Sequence, residues 1–363
     1  MRSLRLLAIA AVCLLPASGL AAEGPPTIKF TAGGEADFQA LLDKAPEGAV
    51  VVCQQAQPLV VTKSLLIGKR MTLRGLKANL PEKLGNTPIL IVDAAGVTLL
   101  DIEMHGNYDS VDQKVRAPFI HIKRGGFVIE RCKFYDGSKD GLMVTPDDGA
   151  GDIVGGAIRN IEAFRMGRDA VSLSGGNTGQ RLRDLTVENV SLKRGYERGA
   201  VEVSDGTDNI VVRHVYAENA VYAIDVQDHG GKRCAPNTNV TIEDVKAVGC
   251  KHVIRTANSP RKHANLTLRD FTATNCQAPV QISNTAHVRV ENLSIIDEPA
   301  AGKPRITLRN CDDVVLRNVT VKGLKEGVEA VETSASTAVR IEGLTRDGKE
   351  SGQAATANEP RKP

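Results

Sequence analysis

Residues 240–245 read Val-Thr-Ile-Glu-Asp-Val, and residues 266–271 repeat the pattern as Leu-Thr-Leu-Arg-Asp-Phe. The first, third and sixth residues of this hexad are apolar, and the fifth is often Asn or Asp. Similar hexads occupy residues 288–293 and 314–319, and looser copies begin at Met71, Val97, Phe127, Gly156, Leu185, Ile210 and Val339. Alternating apolar and polar residues are typical of a strand with one buried face. We interpret the recurring Asn and Asp residues as turn and stacking residues rather than ligands.

The spacing of the hexads decides the fold class. Their central apolar residues recur every 22 to 30 residues, which is too short for a four-stranded propeller blade. No segment between the hexads shows a helical stripe of apolar residues. The sequence therefore predicts an all-β chain with a single right-handed parallel β-helix, a solenoid of about eleven coils. In this fold one internal column should contain Val187, Val212, Ile242, Leu268 and Val290.

The two ends of a solenoid expose unpaired strand edges and need covering. Residues 35–45 place Ala36, Phe38, Leu41 and Leu42 at helical spacing, which predicts a capping helix within an N-terminal cap at residues 23–50. Residues 51–346 should form the β-helix. Residues 347–363 are rich in Gly, Lys, Glu, Ala and Pro, which predicts a disordered tail.

The first 22 residues have the features of a secretory signal peptide. Arg2 and Arg5 precede an apolar run at residues 6–15, and small residues follow Pro16. The run is too short to span a membrane, so we expect an exported monomer, periplasmic or secreted, with no membrane span. Export permits disulfides. The six cysteines outside the predicted signal peptide are compatible either with a Cys250–Cys276 bridge or with buried free thiols.

Composition narrows the classes of partner. The formal net charge is +3, with 46 basic and 43 acidic residues, which gives no support for binding nucleic acid. Tryptophan is absent and aromatic residues make up 3% of the chain. The commonest sugar-stacking side chain is therefore missing, which leaves Tyr196 and Tyr222 for that role.

A second short strand follows each hexad and carries unusual outward residues. In six aligned copies the third position forms the column Met143, Ser172, Glu202, Asp225, Arg255 and Gln281. The position before each strand forms the column Asp140, Asp169, Gly199, Tyr222, His252 and Ala278. Stacked carboxylates repel one another, so these columns predict either a functional cluster, with split titrations or a bound cation, or an exposed polar face whose side chains splay apart.

These features resemble the pectin-lyase-like superfamily of parallel β-helix proteins over most of residues 50–345. A finer resemblance is to the polygalacturonase-type glycoside hydrolases, whose signatures run Asn-Thr-Asp-Gly, Asp-Asp, Gly-His-Gly and Arg-Ile-Lys. Ser138-Lys-Asp-Gly141, Arg168-Asp169, Arg198-Gly199 and Val253-Ile-Arg255 stand in these places, in the same order. Arg168 replaces an aspartate and Arg198 replaces the histidine, so the acid and base of an inverting hydrolase are not both present.

The resemblance implies a carbohydrate-active protein whose substrate is an extended, acidic polysaccharide, cleaved by hydrolysis or by β-elimination. For hydrolysis, Asp169 matches a catalytic aspartate, and Asp140 beside it should raise its pKa. For elimination, calcium on Glu202 and Asp225 would neutralise the sugar carboxylate, and Arg255 would take the proton. The predicted substrate-binding residues are Arg198, Tyr222, His252 and His229. The alternative is a non-catalytic polysaccharide-binding or cell-surface structural protein.

Overall fold

The computed structural model describes residues 24–81, 88–109, 116–176, 178–229, 234–257 and 261–351. The predicted signal peptide and residues 352–363 of the predicted tail lie outside these ranges. No helix within the described ranges is long and apolar enough to cross a membrane.

Eleven short strands form one parallel sheet, called here the short-strand sheet. Its strands are β4 (Leu65–Ile67), β7 (Leu90–Val92), β10 (Ile120–Ile122), β12 (Leu142–Val144), β14 (Val171–Ser174), β16 (Val201–Ser204), β18 (Tyr222–Gln227), β20 (His252–Ala257), β22 (Val280–Ser283), β24 (Ile306–Arg309) and β26 (Val331–Ser334).

The other 17 strands contain the hexads and form the hexad sheet. They are β1 (Thr27–Phe30), β2 (Val50–Cys53), β3 (Leu59–Val60), β5 (Thr72–Arg74), β6 (Lys77–Asn79), β8 (Thr98–Leu100), β9 (Glu103–His105), β11 (Phe127–Tyr135), β13 (Ile153–Met166), β15 (Leu182–Gly195), β17 (Thr207–Glu218), β19 (Thr238–Val248), β21 (His263–Thr274), β23 (Thr285–Ala301), β25 (Asp312–Leu324), β27 (Thr337–Arg346) and β28 (Lys349–Ser351).

Parallel pairing of successive coils confirms the predicted β-helix. Within the hexad sheet Val187 lies opposite Val212, Val212 opposite Ile242, Ile242 opposite Leu268, and Leu268 opposite Val290. All five side chains are buried, so the predicted internal column exists. The core is this stack of aliphatic side chains between the two sheets.

The fifth hexad residue bends each long strand. Asn160 and Asn189 have φ of 57°, and Asp244 has φ of 49°, which is the left-handed region that Asn and Asp tolerate best. Asn189 Nδ2 donates to Asn160 Oδ1 at 3.0 Å, and Asn318 repeats this bond to Asn292 at 3.1 Å. These residues therefore act in the turn and the stack, as interpreted from the sequence.

Both ends of the solenoid are covered. Helix α1 (Glu35–Lys44) buries Phe38 and Leu42, and the Phe38 ring lies 4.8 Å from the Phe30 ring. Ala36 is exposed, unlike the other predicted apolar contacts. At the C-terminal end, β28 pairs antiparallel with β27. Because this hairpin satisfies backbone groups of the last coil, the predicted disorder from residue 347 is wrong for residues 347–351.

The six cysteines in the described ranges are all free and buried. Cys250 Sγ contacts the Ala217 carbonyl at 3.5 Å, and Cys276 Sγ contacts the Ala247 carbonyl at 3.6 Å. Burial raises the pKa of the Cys276 thiol to about 12. Of the two alternatives for these cysteines, the structure has the buried free thiols.

Asn189→Ala should lower the free energy of unfolding by about 1–2 kcal/mol, because alanine has no side-chain bond to Asn160 and is strained at positive φ. Asn189→Gly is the matched control, since glycine relieves the strain but also lacks the bond. Urea denaturation should rank the stabilities as wild type, then glycine, then alanine. Equal losses in the two variants would show that the left-handed conformation contributes nothing.

Candidate functional site

The short-strand sheet brings the two outward columns together in the predicted register. Ser172 lies opposite Glu202, Glu202 opposite Asp225, and Asp225 opposite Arg255. Asp140 precedes this row in the fold, and its Oδ1 accepts a 3.2 Å hydrogen bond from the Asp169 backbone N–H. The stacked acids are therefore real neighbours rather than side chains that splay apart.

The four acids are buried, although the sequence placed them on an outward face. Asp140, Asp169, Glu202 and Asp225 are each at most 1% exposed. Arg168, Arg198 and Arg255 cover them, and between 20% and 25% of each arginine side chain reaches solvent. We call these three side chains the arginine layer. A solvent-accessible positive surface thus lies directly on a buried acidic one.

Arg198 and Arg255 hold their acids closely. Arg198 donates a short hydrogen bond to Glu202 Oε1, and its Nη1 lies 3.7 Å from Asp169 Oδ2. Arg255 donates two hydrogen bonds to Asp225, one from Nε to Oδ1 at 3.0 Å and a shorter one from Nη2 to Oδ2. Such bidentate pairs are the strongest geometry for a guanidinium and a carboxylate.

Arg168 is held more loosely than the other two arginines. Its Nε lies 3.6 Å from Asp140 Oδ1, and its Nη2 lies 3.8 Å from Glu202 Oε2. Both distances exceed those of good hydrogen bonds. The Arg168 Nε is buried and makes no hydrogen bond within the part of the chain that the structure describes, so Arg168 is the least tightly paired member of the arginine layer.

The acids divide into two electrostatic classes. Burial raises the pKa of Asp169 well above its usual range, and the nearby Glu202 and Asp140 carboxylates raise it further. Burial also raises the pKa of Asp140. Burial alone would raise the pKa of Glu202 too, but Arg198 and His229 outweigh it and lower that pKa. These shifts favour the neutral forms of Asp140 and Asp169 and the ionised form of Glu202.

Asp225 is intermediate between these two electrostatic classes. Burial raises its pKa to about 6, against the opposing effect of the Arg255 hydrogen bonds. It is therefore mostly ionised at neutral pH, and Arg255 supplies its countercharge.

Tyr222 and His252, predicted to bind substrate, lie beneath the surface. Tyr222 is fully buried and donates a 2.8 Å hydrogen bond from its hydroxyl to Asp169 Oδ1. The ring of His252 packs with its Nδ1 at 2.6 Å from the Ala278 carbonyl, and burial lowers the pKa of His252 to about 4. Neither side chain presents a surface that a substrate can touch, because the coil stacking closes over this column.

His229 does reach solvent, with 38% of its side chain exposed. Its Nδ1 lies 2.7 Å from Asp205 Oδ2, and its backbone N–H donates to Asp205 Oδ1, also at 2.7 Å. The hydrogen bond to Asp205 raises the pKa of His229. His229 Nε2 lies 3.3 Å from Arg198 Nη2, so the imidazole stands at the edge of the arginine layer.

Two further side chains complete this network: Ser172, which the sequence placed in the outward column without a role, and Gln227, which sequence reasoning missed. Ser172 donates to Glu202 Oε2 at 2.8 Å, and Gln227 Nε2 donates to Glu202 Oε1 in a shorter bond. Gln227 is the last residue of β18 and faces the same way as Asp225, two residues earlier. Residues two apart in a strand point to the same face, so the spacing from Asp225 could have identified Gln227 as an outward residue.

Glu202 and Asp225 do not fit a divalent cation as they stand. Each of their four carboxylate oxygens already accepts a hydrogen bond, from Arg198, Gln227, Ser172 or Arg255. Calcium would have to displace guanidinium groups that supply the same positive charge. Calcium at this pair stays a prediction from the sequence.

Comparisons with known proteins agree on the fold. A family model described as the right-handed β-helix region matches residues 84–295. No curated protein sequence matches the chain. The A-module of the mannuronan C-5 epimerase AlgE4 from Azotobacter vinelandii is similar in structure, with a TM-score of 0.64 at 14% identity over 89% of this chain and 92% of that one.

Two further solved structures are similar. The catalytic unit of a GH87 α-1,3-glucanase from Streptomyces thermodiastaticus has a TM-score of 0.56 at 14% identity, over 90% of this chain and 68% of that one. A PL6 alginate lyase in complex with a trisaccharide has a TM-score of 0.54 at 10% identity, over 91% and 87%. At these identities the likeness shows the fold alone.

Asp169→Asn should make the stability less dependent on pH. A folded-state pKa above the unfolded value of about 3.9 contributes stability that is present at low pH and lost as pH rises through the folded pKa. The neutral amide avoids that loss. The free energy of unfolding of the variant, relative to wild type, should therefore increase between pH 4 and pH 8 in urea titrations.

Asp225→Asn is the matched comparison, because it also replaces a buried acid whose pKa is raised, here to about 6. It should show the same relative gain as pH rises through 6, on top of a loss at every pH of about 2 kcal/mol from the Arg255 guanidinium that loses its bidentate partner. Equal pH profiles for wild type and Asp169→Asn would contradict the raised pKa.

Thermal melting tests the calcium prediction. An ion that binds only the folded protein raises the melting temperature by mass action, and Asp225→Asn should reduce that rise. Identical melting curves in millimolar calcium and in chelator would reject calcium at this pair.

Proposed function

The chain belongs to the right-handed β-helix family, and on this premise we propose that it acts on an acidic polysaccharide lying along the arginine layer. One observation carries the proposal: Arg168, Arg198 and Arg255 present partly exposed guanidinium groups on one face of the short-strand sheet. Guanidinium groups bind carboxylates and sulfates through charge-assisted, often bidentate hydrogen bonds. Such a row of guanidinium groups therefore fits an acidic sugar polymer as its ligand.

The charge balance of the site supports an anionic ligand. Raised pKa values favour the neutral forms of Asp140 and Asp169, which leaves Glu202 and Asp225 to balance the arginine layer. The shifts therefore weaken the negative charge beneath the three guanidinium groups. Arg168, whose nitrogens lie 3.6 Å and 3.8 Å from the acids, is the least tightly paired of them and the one that a sugar carboxylate would most readily bind.

The length of the layer supports a polymer. Arg168 and Arg198 belong to successive coils, and Arg255 follows two coils later, beyond Asp225. At about 4.8 Å per coil the layer spans about 14 Å along the solenoid, which is longer than one sugar unit. Beside it, Tyr196 stacks on Tyr108 with ring centroids 4.3 Å apart and is 38% exposed, so it offers an aromatic surface for a sugar ring.

Among the reactions left open by the sequence, we infer that β-elimination fits this site best. Hydrolysis needs a carboxylic acid that reaches the glycosidic oxygen, and the candidate Asp169 lies under Arg198 with no exposed surface. Elimination from a uronate needs positive charge at the sugar carboxylate and a proton acceptor nearby. The charged side chains that reach solvent here include the arginine layer, His229 and Lys139 beside Asp140.

Arg255 suits binding rather than proton abstraction. Burial would lower its pKa, but the hydrogen bonds and charge of Asp225 outweigh burial and raise the pKa of the guanidinium. A guanidinium held in this way keeps its proton and can only neutralise charge. We therefore propose that Arg255 contacts the sugar carboxylate.

The reaction is tested by incubating the purified protein with polyuronates, a sulfated glycan and neutral glucans. Elimination should raise the ultraviolet absorbance of unsaturated products together with new reducing ends, on a polyuronate only. Reducing ends without absorbance would indicate hydrolysis. Binding to polyuronates without any product would support the non-catalytic binding protein.

Arg168→Ala should weaken binding to a polyuronate by about 10- to 150-fold, because one charge-assisted contact contributes about 1.5–3 kcal/mol. The matched control is Arg269→Ala, which removes an exposed arginine of the hexad sheet that pairs with Glu243 and Glu291. Isothermal titration at low and high salt measures both. Equal affinity of the two variants would remove Arg168 from the binding surface.

A further inference from the structure

We propose that His229 is the proton-abstracting base of this site and that Asp205 positions it. This inference rests on the elimination proposed above. Sequence reasoning placed His229 among substrate-binding residues, and noted Asp205 as a turn residue on the same face without assigning it a role. Two features of the structure support the pair: the hydrogen bonds, which also select the tautomer, and the place of His229 beside the arginine layer.

Asp205 holds His229 through both oxygens of one carboxylate. Asp205 Oδ1 accepts the His229 backbone N–H and Oδ2 contacts the ring Nδ1, each at 2.7 Å. Ser174 Oγ donates a further 3.0 Å bond to Oδ2, and Asp205 itself is buried. The carboxylate therefore fixes both the backbone and the ring of His229.

The neighbours of the other ring nitrogen select the tautomer. His229 Nε2 lies 3.3 Å from Arg198 Nη2 and 3.4 Å from Gln227 Nε2, which are donors, and 3.5 Å from the acceptor Glu202 Oε1. The two donors are the nearer groups, and both already donate to Glu202 Oε1. With Nδ1–H directed at Asp205, the Nε2 lone pair faces these donors and the solvent side of the site. This is the tautomer that a general base requires.

His229 also stands where the substrate must lie. Its Nε2 is next to Arg198, whose guanidinium belongs to the proposed carboxylate-binding layer. In a uronate the proton at C5 is on the carbon next to the carboxylate. A sugar carboxylate that binds Arg198 therefore brings its C5–H close to the imidazole.

The proposed step balances as follows. Nε2 of His229 takes the C5 proton, and the electron pair of that C–H bond becomes the C4–C5 double bond. The C4–O bond breaks, and its electron pair leaves with the glycosidic oxygen, which takes a proton from water. His229 then returns its proton to solvent, and no oxidant or cofactor is consumed.

Substitutions test the two roles separately. His229→Asn should lower kcat on a polyuronate by about 10²-fold or more, while the binding affinity for the polymer stays within about threefold of wild type. Asp205→Asn should lower kcat by about 10²-fold with little change in KM, because an amide –NH₂ facing Nδ1 favours the wrong tautomer. A merely structural role for Asp205 would change KM and stability along with kcat.

The matched control is His214→Asn. His214 forms a similar Nδ1–carboxylate contact, 2.8 Å to Asp244, at a strand bend of the hexad sheet, so its loss should leave kcat unchanged. A His229→Asn enzyme with at least half of the wild-type kcat overturns the inference and leaves the proposed function intact. Wild-type protein that forms no unsaturated product from any polyuronate overturns the proposed elimination, and the base with it.

Discussion

The strict stacking of coils is the constraint on which the rest of the structure depends. Each residue lies about 4.8 Å from its equivalent in the next coil. Residues of the same type in one column are therefore brought into contact with one another. For Val212 and Ile242 this produces a continuous apolar core. For Asn160 and Asn189 it produces a side-chain ladder that bends the strands. For Glu202 and Asp225 it brings like charges together, and the protein has to compensate them.

The protein compensates stacked acids in two different ways. Asp225 is ionised and paired, because Arg255 offers a planar fork that meets both oxygens. Asp169 has no such partner: Tyr222 and a backbone N–H reach one oxygen, and the other oxygen accepts no hydrogen bond within the described residues. A buried carboxylate whose nearest cation, Arg198, lies 3.7 Å away without a hydrogen bond is costly, so Asp169 shifts toward its neutral form. Because protonation removes negative charge without removing arginine, the surface becomes positive.

Much of the fold was predictable from the sequence, because each stacked coil repeats the same pattern of apolar and polar residues. The internal column, the left-handed bend residues and the capping helix follow from spacing and residue type alone. The register of Glu202 with Asp225 was predictable for the same reason. What lies over the acids was not, since Arg168 and Arg198 belong to turns, where side-chain direction follows from contacts rather than period. The stacking of coils therefore predicted which acids meet, but it placed Asp140, Asp169, Tyr222 and His252 on an outer surface, whereas all four are buried in the structure.

The same difference between columns and turns explains where the proposed base lies. A column repeats its residues at fixed height and direction, which suits a core or a ladder but offers little freedom to orient a single reactive group. His229 lies in a turn just after β18, and Asp205 lies in the turn just after β16. Because those strands are neighbours, the stacked scaffold fixes the two turns relative to each other, and the carboxylate of one turn can hold the imidazole of the next. The regular coils thus supply the rigidity, and the irregular turns supply the one histidine that both contacts the arginine layer and faces solvent.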